Sequence, residues 1–187
     1  MAIEVLPHDP RWPQQFAQVA ADLRRALVDV PSARVEHVGS TSVPGLAAKP
    51  VLDIDVLVDP DDRAQHAAAV DALRSLGYRP LGDLGIAGRD AFAAPDEQPR
   101  RNVYLCRAGT LHVRNHLAVR DVLRRRPDLR DAYAAVKQRL AQDPDMDIDA
   151  YLAGKSAVLQ QVLATAGFTD DELRAIRRLN DPGHREP

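Results

Sequence analysis

Apolar positions recur with two different periods along this chain, and the change of period divides it. Between Pro13 and about Asp29, Phe16, Val19, Ala20, Leu23 and Leu27 stand three or four residues apart, which predicts an amphipathic helix with one face for a sheet to cover. Residues 33–38 and 51–58 read as strands, the second an apolar run broken only by Asp53 and Asp55. Gly39 to Ala48 is a loop and short turn interrupted by Pro44-Gly45. Asp59-Pro60-Asp61-Asp62 supplies a cap and first-turn acids for a helix to about Leu76, and Gly77 stops it. Short strand candidates follow at 78–81, 90–93 and 102–106. From Leu111 the period is helical, with helices expected at 111–126, 127–141, 149–166 and 170–179, the last opening on the capping-box pattern Thr169-Asp-Asp-Glu172. The pattern predicts an α/β (α+β) fold: a mixed sheet with flanking helices over about residues 1–108, and a helical C-terminal part over about 110–180. Together they form one domain over residues 1–180, with 181–187 expected to be a disordered tail.

The strand at 51–58 carries the chemistry. Successive side chains of a strand point to opposite faces, so Asp53 and Asp55 share one face while Ile54 and Val56 share the other. Two carboxylates held that close repel unless something positive sits between them, and Mg²⁺ takes carboxylates together with substrate phosphates. Gly39 permits close approach of a ligand to the backbone, and the Ser40 hydroxyl with neighbouring amides can cradle phosphate oxygens. Asp-x-Asp alone is often just solvated, and Gly-Ser alone is an ordinary turn. Their combination on an apolar strand points to a metal-dependent phosphate site, because unpaired acids there are costly without a cation or hydrogen-bond donors.

The run Gly39-Ser-Thr-Ser-Val-Pro-Gly-Leu-Ala-Ala-Lys-Pro-Val-Leu-Asp-Ile-Asp55 resembles the signature of the GrpB family, also called UPF0157, a group of the nucleotidyltransferase superfamily. Gly85-Ile-Ala-Gly-Arg89, Arg114-Asn-His-Leu-Ala-Val-Arg-Asp-Val-Leu-Arg124, Tyr133-Ala-Ala-Val-Lys137 and the segment from Tyr151 to Lys155 extend the likeness, which spans roughly Val5 to Ala166. It implies a nucleotidyltransferase-like, polymerase-beta-like sheet. It also implies Mg²⁺, with Mn²⁺ as a substitute, on Asp53 and Asp55, the candidate catalytic residues. A nucleoside triphosphate would be held by Gly39, Ser40, Thr41, Lys49, Arg120 and Lys155, and a nucleotidyl group passed to a small-molecule or protein acceptor. Such enzymes usually carry a third carboxylate on a later strand. Here Asn102, Tyr104 and Cys106 share the corresponding face, with no acid, where many family members show histidines; Asn102 or Tyr104 could ligate or orient, and Asp90 on the neighbouring strand could substitute. A binding or sensor module without turnover is therefore the alternative. In some relatives this domain is joined to a dephospho-coenzyme A kinase, which adds an accessory role in coenzyme A metabolism. The chain itself has no P-loop Gly-x-x-x-x-Gly-Lys-Ser/Thr.

Composition narrows these readings. No apolar run reaches the length of a membrane span and the N-terminus has no basic-then-apolar leader, so a cytoplasmic protein without a membrane partner is expected. The net charge of -2 hides a basic middle: residues 100–139 hold eleven Arg or Lys against three Asp or Glu, which suits a local anionic ligand. Nucleic acid is not expected, since the chain is acidic overall, aromatic residues are 4% of it, and no nucleic-acid-binding motif appears. Lysine occurs only as Lys49, Lys137 and Lys155, all inside the family-like segments. Arg120 either meets phosphate or pairs with an acid, and the same two readings hold for Arg89 after its Gly-rich loop. His37 reads as a hydrogen-bonded strand residue ahead of a site role. His112 and His116 have a metal-compatible spacing, but with Val119 and Leu123 on the same face they are expected to be packed helix histidines. Cys106, the lone cysteine, is expected to be a small buried side chain, not a nucleophile.

Overall fold

A computed structural model describes residues 3–179 of the chain; the tail expected at 181–187 lies outside the described residues. Five strands form one mixed sheet in the order β1-β2-β5-β4-β3. β1 (Arg34–Val38) runs antiparallel to β2 (Leu52–Val58), which is parallel to β5 (Arg101–Arg107); β4 (Arg89–Ala93) and the exposed edge strand β3 (Arg79–Gly82) complete it in antiparallel sense. The central pair β2 and β5 is parallel because α2 (Arg63–Ser75) and the β3–β4 hairpin intervene in sequence.

The two faces of the sheet have different tasks. Ile54, Val56 and Val58 of β2 and Val103 and Leu105 of β5 pack under α1 (Trp12–Ala26) and α2, where Trp12, Leu23 and Leu73 are also buried. Truncating one of these, Leu23→Ala for example, costs about 2–5 kcal/mol in a core of this kind. Asp62 caps α2 by accepting from Gln65 N at 2.9 Å.

The opposite face carries Asp53, Asp55 and Leu57 of β2 beside Asn102, Tyr104 and Cys106 of β5, in register pairs that include Asp53 with Asn102 and Asp55 with Tyr104. α3 (Leu111–Arg125) covers part of it through Val113 and Leu117, packed on Leu57 and Cys106. α3, α4 (Pro127–Ala141) and α6 (Ser156–Thr165) then close on Val43 and Leu46 of the loop after β1. The helix expected over residues 149–166 is two helices, α5 (Ile148–Gly154) and α6. The break has a packing cause: a Cβ on Gly154 would stand 2.7 Å from Leu140 Cδ2, so α5 and α4 approach closely where the helix-weakening glycine sits. α7 (Asp170–Leu179) begins at the Thr169 capping box, where Thr169 N donates to Glu172 Oε2 at 2.9 Å. Among the described residues no helix is long and apolar enough to cross a membrane.

Candidate functional site

The loop after β1 turns over the polar sheet face because Gly39 adopts φ 68°, ψ -173°, a region open to glycine. This turn starts a single 3₁₀ turn, Ser40–Ser42, and lays the Gly39 backbone against the Asp53 carboxylate. Asn102 on the parallel neighbour donates its amide to Asp53 Oδ1 at 2.9 Å. Burial raises the Asp53 carboxyl above its ordinary value, and the Asn102 amide works against that rise.

Ser40 is held from the helical half. Lys137 of α4, 1% exposed, donates from Nζ to Ser40 Oγ at 2.9 Å and to the Ala47 carbonyl, with the ammonium 4.5 Å from the Tyr133 ring centre. Burial, and then repulsion from Lys155, bring Lys137 down to about 7. Lys155 is lowered by burial to about 8, with Asp53 opposing the drop, and lies 4.5 Å from the Tyr151 ring centre.

A cleft of about 1050 Å³ opens between the sheet and α5, lined by Ser40, Thr41, Lys49, Asp53, Asn102 and Lys155 among others, with Lys137 buried behind Ser40. The groups that line the cleft include the Asp53 carboxylate, the Ser40 hydroxyl and the ammonium groups of Lys49 and Lys155. Of the residues expected at a phosphate and metal site, Gly39 meets the cleft group through its backbone, while Ser40, Thr41, Lys49, Asp53 and Lys155 line the cleft directly. The Thr41 hydroxyl is 3.0 Å from His37 Nε2 of β1, and Ser42 Oγ donates to Gly39 O at 2.6 Å, so both hydroxyls already have partners. His37 is the hydrogen-bonded strand residue the sequence favours, stacked on Phe16.

Arg120 does not line the cleft. Its guanidinium pairs with Glu36 at 2.7 Å and Asp121 at 2.8 Å, the acid-pairing reading of this residue. Arg89 covers the Tyr104 ring at 4.7 Å. Asp90 does not substitute for a third acid: it projects from the other sheet face and meets His66 at 2.9 Å.

Asp55 is wholly buried, and its Oδ2 is 2.9 Å from His116 Nδ1. His116 is therefore no mere packed helix histidine. Burial disfavours its protonation, yet the Asp55 carboxylate outweighs this and holds the ring above its ordinary value. His112 stands beside it, ring centres 4.0 Å apart, and Cys106 is fully buried nearby. The sequence names Asn102 as a residue that could ligate or orient, and its amide meets Asp53; the Lys137–Ser40 and His116–Asp55 contacts were missed. For Asn102 the signal was present, since it is in phase with Asp53 on the adjoining strand.

The GrpB family model, described as GrpB protein, matches residues 2–165. A UPF0157 protein of Halalkalibacterium halodurans is 37% identical over 173 residues, 90% of this chain and 84% of that protein. The crystal structure of the conserved protein GrpB from Enterococcus faecalis superposes with a TM-score of 0.72 at 31% identity, covering 88% of this chain and all of that one. The structure of the GLD-2/RNP-8 complex reaches a TM-score of 0.54 at 15% identity, covering 83% of this chain and 60% of that chain, a likeness of fold.

Proposed function

The chain belongs to the GrpB family, and on that premise we propose that it is a nucleotidyltransferase that binds a nucleoside triphosphate with Mg²⁺ or Mn²⁺ in the cleft and transfers a nucleotidyl group to a small-molecule or protein acceptor. The observation that carries this reading is the convergence of Asp53, Ser40, Lys49 and Lys155 on one cleft in a nucleotidyltransferase-like fold. The donors fit a hard cation. Asp53 Oδ1 takes the Asn102 amide, and Oδ2 fills the space that a Cβ on residue 39 would need, so the carboxylate is held in one orientation at the cleft wall. Asp53 would hold the cation at the cleft; Asp55, expected as its second ligand, is wholly buried outside the cleft lining and paired with His116, so it would add only its charge from behind, and the bound ion would supply neutralisation of the triphosphate.

The protein's own groups then position the reactants. Lys137 donates to Ser40 Oγ and fixes that hydroxyl at the cleft wall for a phosphate oxygen, while Lys49 and Lys155 face the outer phosphates as point charges. In transfer, an acceptor oxygen bonds to the α-phosphorus as the bond to pyrophosphate breaks. A second reading, nucleotide binding without turnover, is favoured by one observation: Asn102, Tyr104 and Cys106 put no carboxylate on the β5 side, and Asp90 is turned away.

Incubation with each labelled nucleoside triphosphate, Mg²⁺ or Mn²⁺ and a metabolite pool separates the two readings. Pyrophosphate release supports transfer; tight binding without release supports the sensor. Metal-dependent nucleotide binding unchanged in Asp53→Asn would overturn both.

A further inference from the structure

We propose that Asp55, Cys106 and His112 form a second cation site, of the class that takes Zn²⁺, set between the polar sheet face and α3 and distinct from the cleft. One ligating atom of each residue lies within 4.8 Å of the other two. All three side chains are buried: Asp55 and Cys106 are 0% exposed and His112 is 8% exposed. Asp55 Oδ1 and His112 Nε2 are both buried without a hydrogen-bond partner. A buried polar atom left unpaired costs about 1–3 kcal/mol, so two of them in one place call for a shared partner, and a cation among these groups answers both.

The donors select the ion. Mg²⁺ prefers oxygen alone, whereas a carboxylate oxygen, an imidazole nitrogen and a thiolate sulfur together are the ligand set of Zn²⁺ and its neighbours. Tetrahedral ligands around such an ion stand about 3.5 Å apart, so a contraction of no more than roughly 1.3 Å brings these three to coordinating distance and leaves the fourth position for a small ligand. Cys106 carries the thiol, which burial raises above its ordinary value and which a bound cation returns to the thiolate. Thiolate and carboxylate then offer two negative charges against the Arg89 guanidinium over Tyr104. His116, at 2.9 Å from Asp55 Oδ2, fixes the carboxylate from the other side, the usual arrangement for orienting a metal-ligating acid. Local sequence builds the site: Gly109-Thr110 links β5 directly to α3, which sets His112 above Cys106.

The test uses the full chain, stripped of metal with a chelator and titrated with Co²⁺ as a spectroscopic stand-in for Zn²⁺. One Co²⁺ per chain is expected, with a near-ultraviolet sulfur-to-cobalt charge-transfer band that Zn²⁺ displaces. Cys106→Ser removes the band, and His112→Gln weakens binding by at least about 10- to 100-fold, the loss that even indirect partners of a metal cause. Circular dichroism confirms that each variant is folded, and the wild-type band stands as evidence if one is not. Asp53→Asn leaves the band in place while losing nucleotide binding, so this site and the nucleotide reading fail separately. No band in the wild type, or a band that survives Cys106→Ser, overturns the proposal.

Discussion

The Gly39 backbone packs so closely on the Asp53 side chain that a Cβ on residue 39 would lie 2.9 Å from both Cβ and Cγ of Asp53. Position 39 also has φ 68°, outside the range of ordinary side chains. Gly39→Ala is therefore expected to lose about 1–3 kcal/mol of stability and to displace the carboxylate. Urea denaturation of Gly39→Ala, Asp53→Gly and the double variant measures the relationship: the two losses should not add, because removing the Asp53 side chain relieves the clash. Additive losses would show that the residues act independently.

Asn102 holds Asp53 through one amide hydrogen bond of 2.9 Å. Asn102→Ala should weaken metal-dependent nucleotide binding by about 1 kcal/mol, roughly fivefold, with little change in fold stability. Isothermal titration with a nonhydrolysable nucleoside triphosphate reads this, and an unchanged affinity would remove Asn102 from the site.

Arg120 joins β1 to α3 through Glu36 and also donates to the His37 carbonyl at 3.2 Å. Its loss leaves the partly buried Glu36 carboxylate unpaired. Arg120→Met should cost about 1–3 kcal/mol by denaturant titration and leave nucleotide affinity within about twofold. A large loss of affinity at unchanged stability would return Arg120 to the list of phosphate contacts.

Lys137 ionises near 7 in the folded chain, against an ordinary value of 10.5. Between those two values the unfolded chain holds the proton that the folded chain has released, so stability rises with pH across that window, at up to about 1.4 kcal/mol per pH unit. Lys137→Met removes this slope. Denaturation at a series of pH values from neutral upward should show the wild type gaining on the variant, and parallel curves would contradict the assignment.

His37 runs in the acid direction. Burial, then repulsion from Arg124 and Arg120, lower it from 6.5 to about 4. The folded chain keeps this ring neutral, so its contribution is complete above pH 6.5 and is lost as pH falls towards about 4. Thermal melts of the wild type should drop through that range, and His37→Gln, which can still reach Thr41, should flatten the drop. An equal drop in the variant would place the acid sensitivity elsewhere.

The hydrophobic pattern made the sheet legible because β2 and β5 bury one whole face, and alternation of period two is hard to mistake there. It also exposed Asp53 and Asp55, since acids stand out in such a run. What it could not carry was distance across the chain. His116 reaches Asp55 from sixty-one residues away and Lys137 reaches Ser40 from ninety-seven, and no local spacing encodes either meeting. The division of one expected helix into α5 and α6 was missed for a related reason: Gly154 is decided by Leu140 on another helix. Asp90 misled because strand phase alone does not tell which face of β4 continues the face of β2; the ladder through β5 does.

The parallel pairing of β2 with β5 also sets the order in which this chain can acquire its chemistry. α2, β3 and β4 lie between the two strands, so the pair forms only after a long loop closes, whereas the β3–β4 hairpin and the individual helices need only local closure. Asp53 meets Asn102 across that late seam, and Ser40 meets Lys137 only when α4 docks. During synthesis the ribosome must release most of the chain before either contact exists, so a nascent or truncated product can be largely structured and still be unable to hold its ligand.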